Sequence, residues 1–135
     1  MTFLDAVKAF EDDLKAKVNI PVRNKNIPKD GVSMRVALNN ADADGMFLNS
    51  SARVMTGQFN VEISAPLSTN KYAMMAEANK VLAVYVRGYS VTVIDRRVLI
   101  LQTNQSTPYP TDAHQKINVI IDFQITKWEK PRLGL

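Results

Sequence analysis

Phe3, Val7, Phe10 and Leu14 recur at spacings that bring them onto one face of a helix. Thr2 followed by Asp5 resembles a capping box with Asp in place of Glu, so the helix is predicted to run from Thr2 to Lys17. Asp5, Glu11, Asp12 and Asp13 occupy its polar face, and Lys15 and Lys17 close its last turn, where cations favour the helix dipole. Such a stripe needs a sheet or a partner to cover it.

The period then changes. Pro21 and Pro28 bracket a polar stretch, so Val18 to Pro28 reads as irregular chain or edge strand, and Lys29-Asp30-Gly31 as a turn. Val32, Met34, Val36 and Leu38 alternate with Ser33, Arg35 and Ala37, which predicts a strand over 32–38 with one buried face. Asn39 to Ser51, rich in Asn, Asp and small residues, reads as a loop that orders against a neighbour. Met55, Gly57, Phe59, Val61, Ile63 and Ala65 alternate with polar residues until Pro66, giving what reads as the longest hairpin arm of the fold.

Ser68, Thr69 and Asn70 offer N-caps for a helix predicted over Lys71 to Arg87, with Tyr72, Met75, Ala76, Leu82, Ala83 and Val86 on one face and Gly88 as the stop. Val91 to Ile94 and Val98 to Leu101 are apolar β-rich runs separated by Asp95-Arg96-Arg97, either a turn or a bulge. Gln102 to His114 carries Pro108 and Pro110 and reads as a loop, after which Ile117, Val119, Ile121, Phe123 and Ile125 form the cleanest alternation in the chain. The sum is an α+β domain, an antiparallel β-sheet with an N-terminal helix and a second helix packed on one face. One domain over residues 1–135 is expected, ending in a short tail at about 128–135.

Composition narrows the function. The absence of cysteine excludes disulfides, thiolate metal sites and a cysteine nucleophile. The N-terminus lacks the basic and apolar regions of a secretory signal, and no apolar run approaches the roughly 20 residues that span a bilayer, so a soluble chain made in the cytoplasm is expected. A net charge of +4 invites a nucleic-acid reading, in which Arg96 and Arg97 with Tyr89 and Tyr109 would make phosphate and stacking contacts. The basic residues are nevertheless scattered among carboxylates rather than clustered.

Catalytic motifs are missing. His114 stands beside Asp112 in the predicted loop with no nucleophile motif, and is given no role. Asn40-Ala41-Asp42-Ala43-Asp44-Gly45 matches the first half of a calcium loop, but Ser51 stands where the bidentate Glu belongs, so the segment reads as a solvated turn. No glycine-rich phosphate loop exists, and Asp12, Asp13, Glu62 and Asp122 read as carboxylates on solvated faces. No cofactor or metal and no enzymatic activity are therefore expected. Ile120 interrupts the polar side of the last strand, and Trp128 follows that strand just before the tail, together suggesting a surface that another subunit covers.

The stretch Thr56-Gly57-Gln58-Phe59-Asn60-Val61-Glu62-Ile63 leading through Pro66 into a helix resembles the tail-terminator (tail-completion) proteins of long-tailed bacteriophages. The Thr107-Pro108-Tyr109-Pro110 loop running into Ile117-Asn118-Val119-Ile120-Ile121-Asp122-Phe123 is similar to that family's last strand. The resemblance implies an α+β subunit that assembles with itself as a hexameric ring, caps the tail tube protein, ends tube growth and meets the head-to-tail connector proteins. It further implies a place in the virion neck, with DNA passing through the ring lumen and no membrane partner. On this reading the outer sheet face and the 39–51 and 102–114 loops make the contacts, and Asp42, Asp44, Arg96, Arg97, Tyr109, Ile120 and Trp128 are the candidate interface residues. A head-to-tail connector or a minor tail protein of the same neck is the nearest alternative.

Overall fold

The computed structural model describes residues 3–23, 31–43, 55–93 and 96–127. The elements in chain order are α1 (Phe3–Lys17), β1 (Ser33–Ala43), β2 (Met55–Pro66), α2 (Lys71–Val84), β3 (Ser90–Val93), β4 (Arg96–Gln105), β5 (Tyr109–Pro110) and β6 (His114–Lys127). The strands form one antiparallel sheet in the order β1-β2-β6-β4-β3, with β5 paired to β6. β6 therefore lies at the centre although it comes last in sequence, which explains its unbroken alternation: Ile117, Val119, Ile121, Phe123 and Ile125 are all buried. Val61 sits opposite Val119 and Phe59 opposite Ile121, so both central strands turn the same residue parity toward the helices.

Both helices pack on that face, as the α+β reading expects. α1 supplies Ala6, Phe10 and Leu14, and α2 supplies Met74, Ala78 and Val81, followed by Tyr85, all fully buried. A column of rings crosses the core. Phe123 stacks on Phe59 at 4.1 Å, Phe59 on Phe10 at 4.1 Å, Phe10 meets Tyr85 at 4.8 Å, and Tyr85 meets the edge of Tyr89 at 5.2 Å. The column joins β6, β2, α1 and the α2–β3 connection, so one set of contacts fixes both helices to the sheet.

Several expectations are corrected. The buried stripe of α2 is Met74, Ala78 and Val81, whereas Tyr72 is 68% exposed and Val86 52% exposed. That helix is apolar around most of its circumference, so the sequence carries little information about its phase. It ends at Val84 with Tyr85 as cap, earlier than Arg87; Gly88, at φ +93°, serves the turn into β3 and donates its N–H to Ile100. Among the offered N-caps Asn70 is the one used, its side-chain oxygen accepting from the Tyr72 N–H at 2.7 Å.

β1 continues through Asn39 to Ala43, where a loop was expected, and β6 with 14 residues is longer than β2 with 12. The 102–114 segment is likewise mostly paired chain. Gln102–Gln105 complete β4, Tyr109–Pro110 form β5, and His114 opens β6. The short β5 carries Pro110 at the sheet margin, where a missing N–H costs nothing. Val93 pairs with Arg96, which resolves the turn-or-bulge alternative as a hairpin and moves Arg96 and Arg97 out of the connection into β4. Pro21 and Arg23 exchange backbone hydrogen bonds with Met34, so the part of the Pro-bracketed stretch that is described runs along the edge of β1.

Candidate functional site

The face of the sheet opposite the helices carries the alternate residues of each strand. Across it lie the rows Ala37–Asn60–Ile120–Asn104 and Asn39–Gln58–Asp122–Gln102. Neither described helix covers this face. It is dense in amides, and Ile120 stands half-buried among them. Around Ile120 the oxygens Asn60 Oδ1, Asn118 Oδ1 and Asp122 Oδ1 are buried with no hydrogen-bond partner among the described residues. Buried acceptors of this kind ordinarily find a donor, because leaving one unmet costs about 1–3 kcal/mol.

One end of the face is charged. Arg23, brought over β1 by the edge segment, donates to Glu62 at 2.7 Å, to Ser64 at 2.9 Å and to Ser33 at 3.2 Å. Lys116 approaches the same Glu62 oxygen at 3.2 Å. Burial alone would raise the Glu62 pKa, but the hydrogen bonds and charges of Arg23 and Lys116 outweigh it and hold the carboxyl below its ordinary value. Glu62 is thus an ion-pair centre rather than a residue of a merely solvated face.

Asp13 departs from its reading in the same way. It accepts hydrogen bonds from the hydroxyls of Tyr85 and Tyr89, each at 2.8 Å. Burial first, then the bond to Asp13 and its charge, raise both phenols, Tyr89 to about 12. This network lies beside the core, away from the outer sheet face, and ties α1 to the chain entering β3. Asp12, by contrast, is exposed as expected.

The candidate interface residues spread over the sheet instead of gathering in one pocket. Ile120 is central. Arg97, half-buried, lies opposite Thr126 near one end of the strands, and the neighbouring Arg96 lies opposite Lys127. Asp42 is opposite Thr56 on the far edge, in paired strand rather than in the open turn that a cation loop would require. Tyr109 is at the other end, its hydroxyl accepting from Asn118 Nδ2 at 2.8 Å. Asp44 and Trp128 lie outside the described residues. Arg23, Asn60, Lys116 and Asn118 are polar residues that sequence reasoning missed, and Glu62 and Asp122 were read only as solvated carboxylates. For those on β2 and β6 the signal was the run of amides and charges at the outward positions of two otherwise apolar strands, whereas Arg23, in the edge segment before β1, carried none.

A second feature flanks β4. Leu82, Tyr85, Val86, Arg87, Leu101, Gln102 and Thr103 line an open groove of about 410 Å³. The register of β4 against β6 shifts between Ile100 and Gln102, and the extra residue, Leu101, is left 37% exposed at its rim. Thr103 donates its hydroxyl to the Tyr85 carbonyl at 2.6 Å, which closes the floor. No group of His, Asp and Glu suited to a metal ion occurs among the described residues, and no described helix is long and apolar enough to cross a membrane.

No protein-family model matches this chain, and no curated protein does. Its fold is nevertheless shared: 16 chains of solved structures match it. One, whose designation describes no function, aligns with a TM-score of 0.74 over 96% of this chain and 99% of its own at 18% identity. The chain therefore has the architecture of a whole solved protein of similar length. At that identity the likeness speaks for the fold alone.

Proposed function

We propose that this protein is a structural subunit of a long-tailed bacteriophage, one that caps the tail tube as a ring, ends tube polymerisation and offers the surface to which the head is joined. The observation that carries the reading is the outer face of the sheet, where buried acceptors without described partners surround the half-buried Ile120. A second protein surface bearing amide, Lys or Arg donors would satisfy these oxygens and cover Ile120 together. The resemblance of the β2 and β6 sequences to tail terminators supports the tail tube as the partner in this reading. Ending a polymer requires a subunit that matches the growing tip on one side and does not reproduce it on the other, and a closed ring with two unlike faces meets that requirement.

The nucleic-acid alternative draws less support. Tyr89 is packed against Tyr85 with its hydroxyl on Asp13, and the Tyr109 hydroxyl is held by Asn118, so neither ring stands free as a stacking platform.

The test is the mass of the purified protein by light scattering, alone and with tail tubes, followed by electron microscopy of where it binds. Rings at one end of the tubes are expected. A protein that stays at 15.1 kDa and ignores tubes, yet binds DNA in a salt-dependent manner, would overturn the reading.

A further inference from the structure

Among the described residues, the outer edge of β1 beyond Met34 and that of β4 beyond Ile100 carry no paired strand, and they belong to opposite ends of the sheet order. Along β4, Ile100 is the last residue bonded toward the β3 side, through Gly88 and Tyr89. Beyond the bulge at Leu101, no described strand lies on that side. Ser106 donates its N–H to the Asn118 carbonyl, so by antiparallel alternation the backbone groups of Asn104 and Gln102 face β6, while those of Thr103 and Gln105 face outward. On the other margin Met34 bonds outward to Pro21 and Arg23, so Val36 and Leu38 also direct their backbone groups away from β2. Nothing among the described residues pairs with them. Unprotected edges of this kind are templates for strand addition.

We infer that the β4 edge at Leu101–Gln105 receives the β1 edge of a second copy of this chain, giving one sheet that continues from subunit to subunit. This inference rests on the ring reading above and names its contact. The two edges belong to opposite ends of one sheet, so the contact is head-to-tail and repeats around a ring. Side-chain chemistry agrees. The groove beside β4 offers exposed Val86 and Leu101 and partly buried Leu82, and the incoming edge brings partly buried Val32 and Leu38 on the helix-facing side. Apolar side chains thus meet across the contact.

Hydrogen exchange on the full-length protein, assembled and then diluted to monomer, tests the contact together with light scattering of Gln105→Pro and Leu101→Lys. Proline at 105 removes an outward N–H that the chain's own ladder does not use, and Leu101 is exposed, so thermal melts of both variants should stay close to the parent. The expected result is slowed exchange at Val36, Leu38, Thr103 and Gln105 on assembly, and loss of the oligomer to 15.1 kDa in both variants. If the parent assembles while these amides exchange as in the monomer, or if both folded variants assemble normally, the edge contact is overturned and the ring reading stands. Protection at Thr103 and Gln105 without protection at Val36 and Leu38 would overturn β1 as the occupant. A parent that remains monomeric with and without tail tubes removes the ring reading, and this inference with it.

Discussion

Asp13 shows how far a single residue can depart from its pattern. Its place on the polar face of α1 marked it as solvated, yet its carboxylate joins two tyrosines from far along the chain. Asp13→Ala should cost about 1–3 kcal/mol in chemical denaturation, because the hydroxyl of fully buried Tyr85 loses its acceptor, and Asp13→Asn should cost less by keeping one. The same network sets an alkaline limit. Tyr89 has a folded pKa of about 12 against an ordinary 10.0, so its contribution is complete below pH 10.0 and is lost as pH rises through 12. Ultraviolet titration of the tyrosines alongside thermal melts should show this loss, and Tyr89→Phe should reduce it without abolishing it, because the phenol of Tyr85 is raised as well. Glu62 acts in the opposite sense. Its folded pKa lies below 4.5, so its stabilisation is present above that pH and falls away as acid protonates it. Glu62→Gln should flatten the acid limb of a stability profile, and an unchanged limb would dismiss the Arg23–Glu62–Lys116 cluster as its cause.

At the scale of elements, strand and helix were legible to different degrees for a physical reason. A strand with one buried face alternates every second residue, and β2 and β6 obey this so fully that their buried sets follow from sequence. α2 does not. With apolar residues on most sides its phase was set by the aromatic column, which pulls Met74, Ala78, Val81 and Tyr85 inward and leaves Tyr72 exposed. Phe10→Ala removes the ring at the centre of that column and should lose about 3–5 kcal/mol by denaturant titration. The glycine that follows α2 acts through its backbone. At Gly88, φ is +93° and a Cβ would meet nothing within 4 Å. Gly88→Ala should therefore cost about 1–2 kcal/mol from conformation alone, and a thermal melt indistinguishable from the parent would refute the assignment.

For the whole molecule, what matters is which surfaces the fold leaves incomplete. Two helices on one face close the core; the other face keeps Ile120 among buried oxygens, and both sheet margins keep outward backbone groups. On the assembly reading, Ile120→Asp should leave the thermal melt of the monomer near that of the parent and abolish ring formation or binding to tube ends, as seen by light scattering and electron microscopy. Normal assembly by that variant would remove Ile120 from the interface.

By itself the sequence determined the α+β class, the inward residues of the central strands and the lack of recognisable catalytic motifs, because periodicity and composition are local properties that each segment carries whatever surrounds it. The outward amides at Asn60 and Asn118 and the carboxylate at Asp122 were visible too, but only as polar positions. Tertiary structure alone decided that β6 pairs between β2 and β4, that Arg23 reaches Glu62 across 39 residues, that Asp13 meets Tyr85 and Tyr89, and that β4 runs on past the end of its pairing with β3. Each of these depends on which distant segments become neighbours, and long-range pairing leaves no periodic trace in the chain.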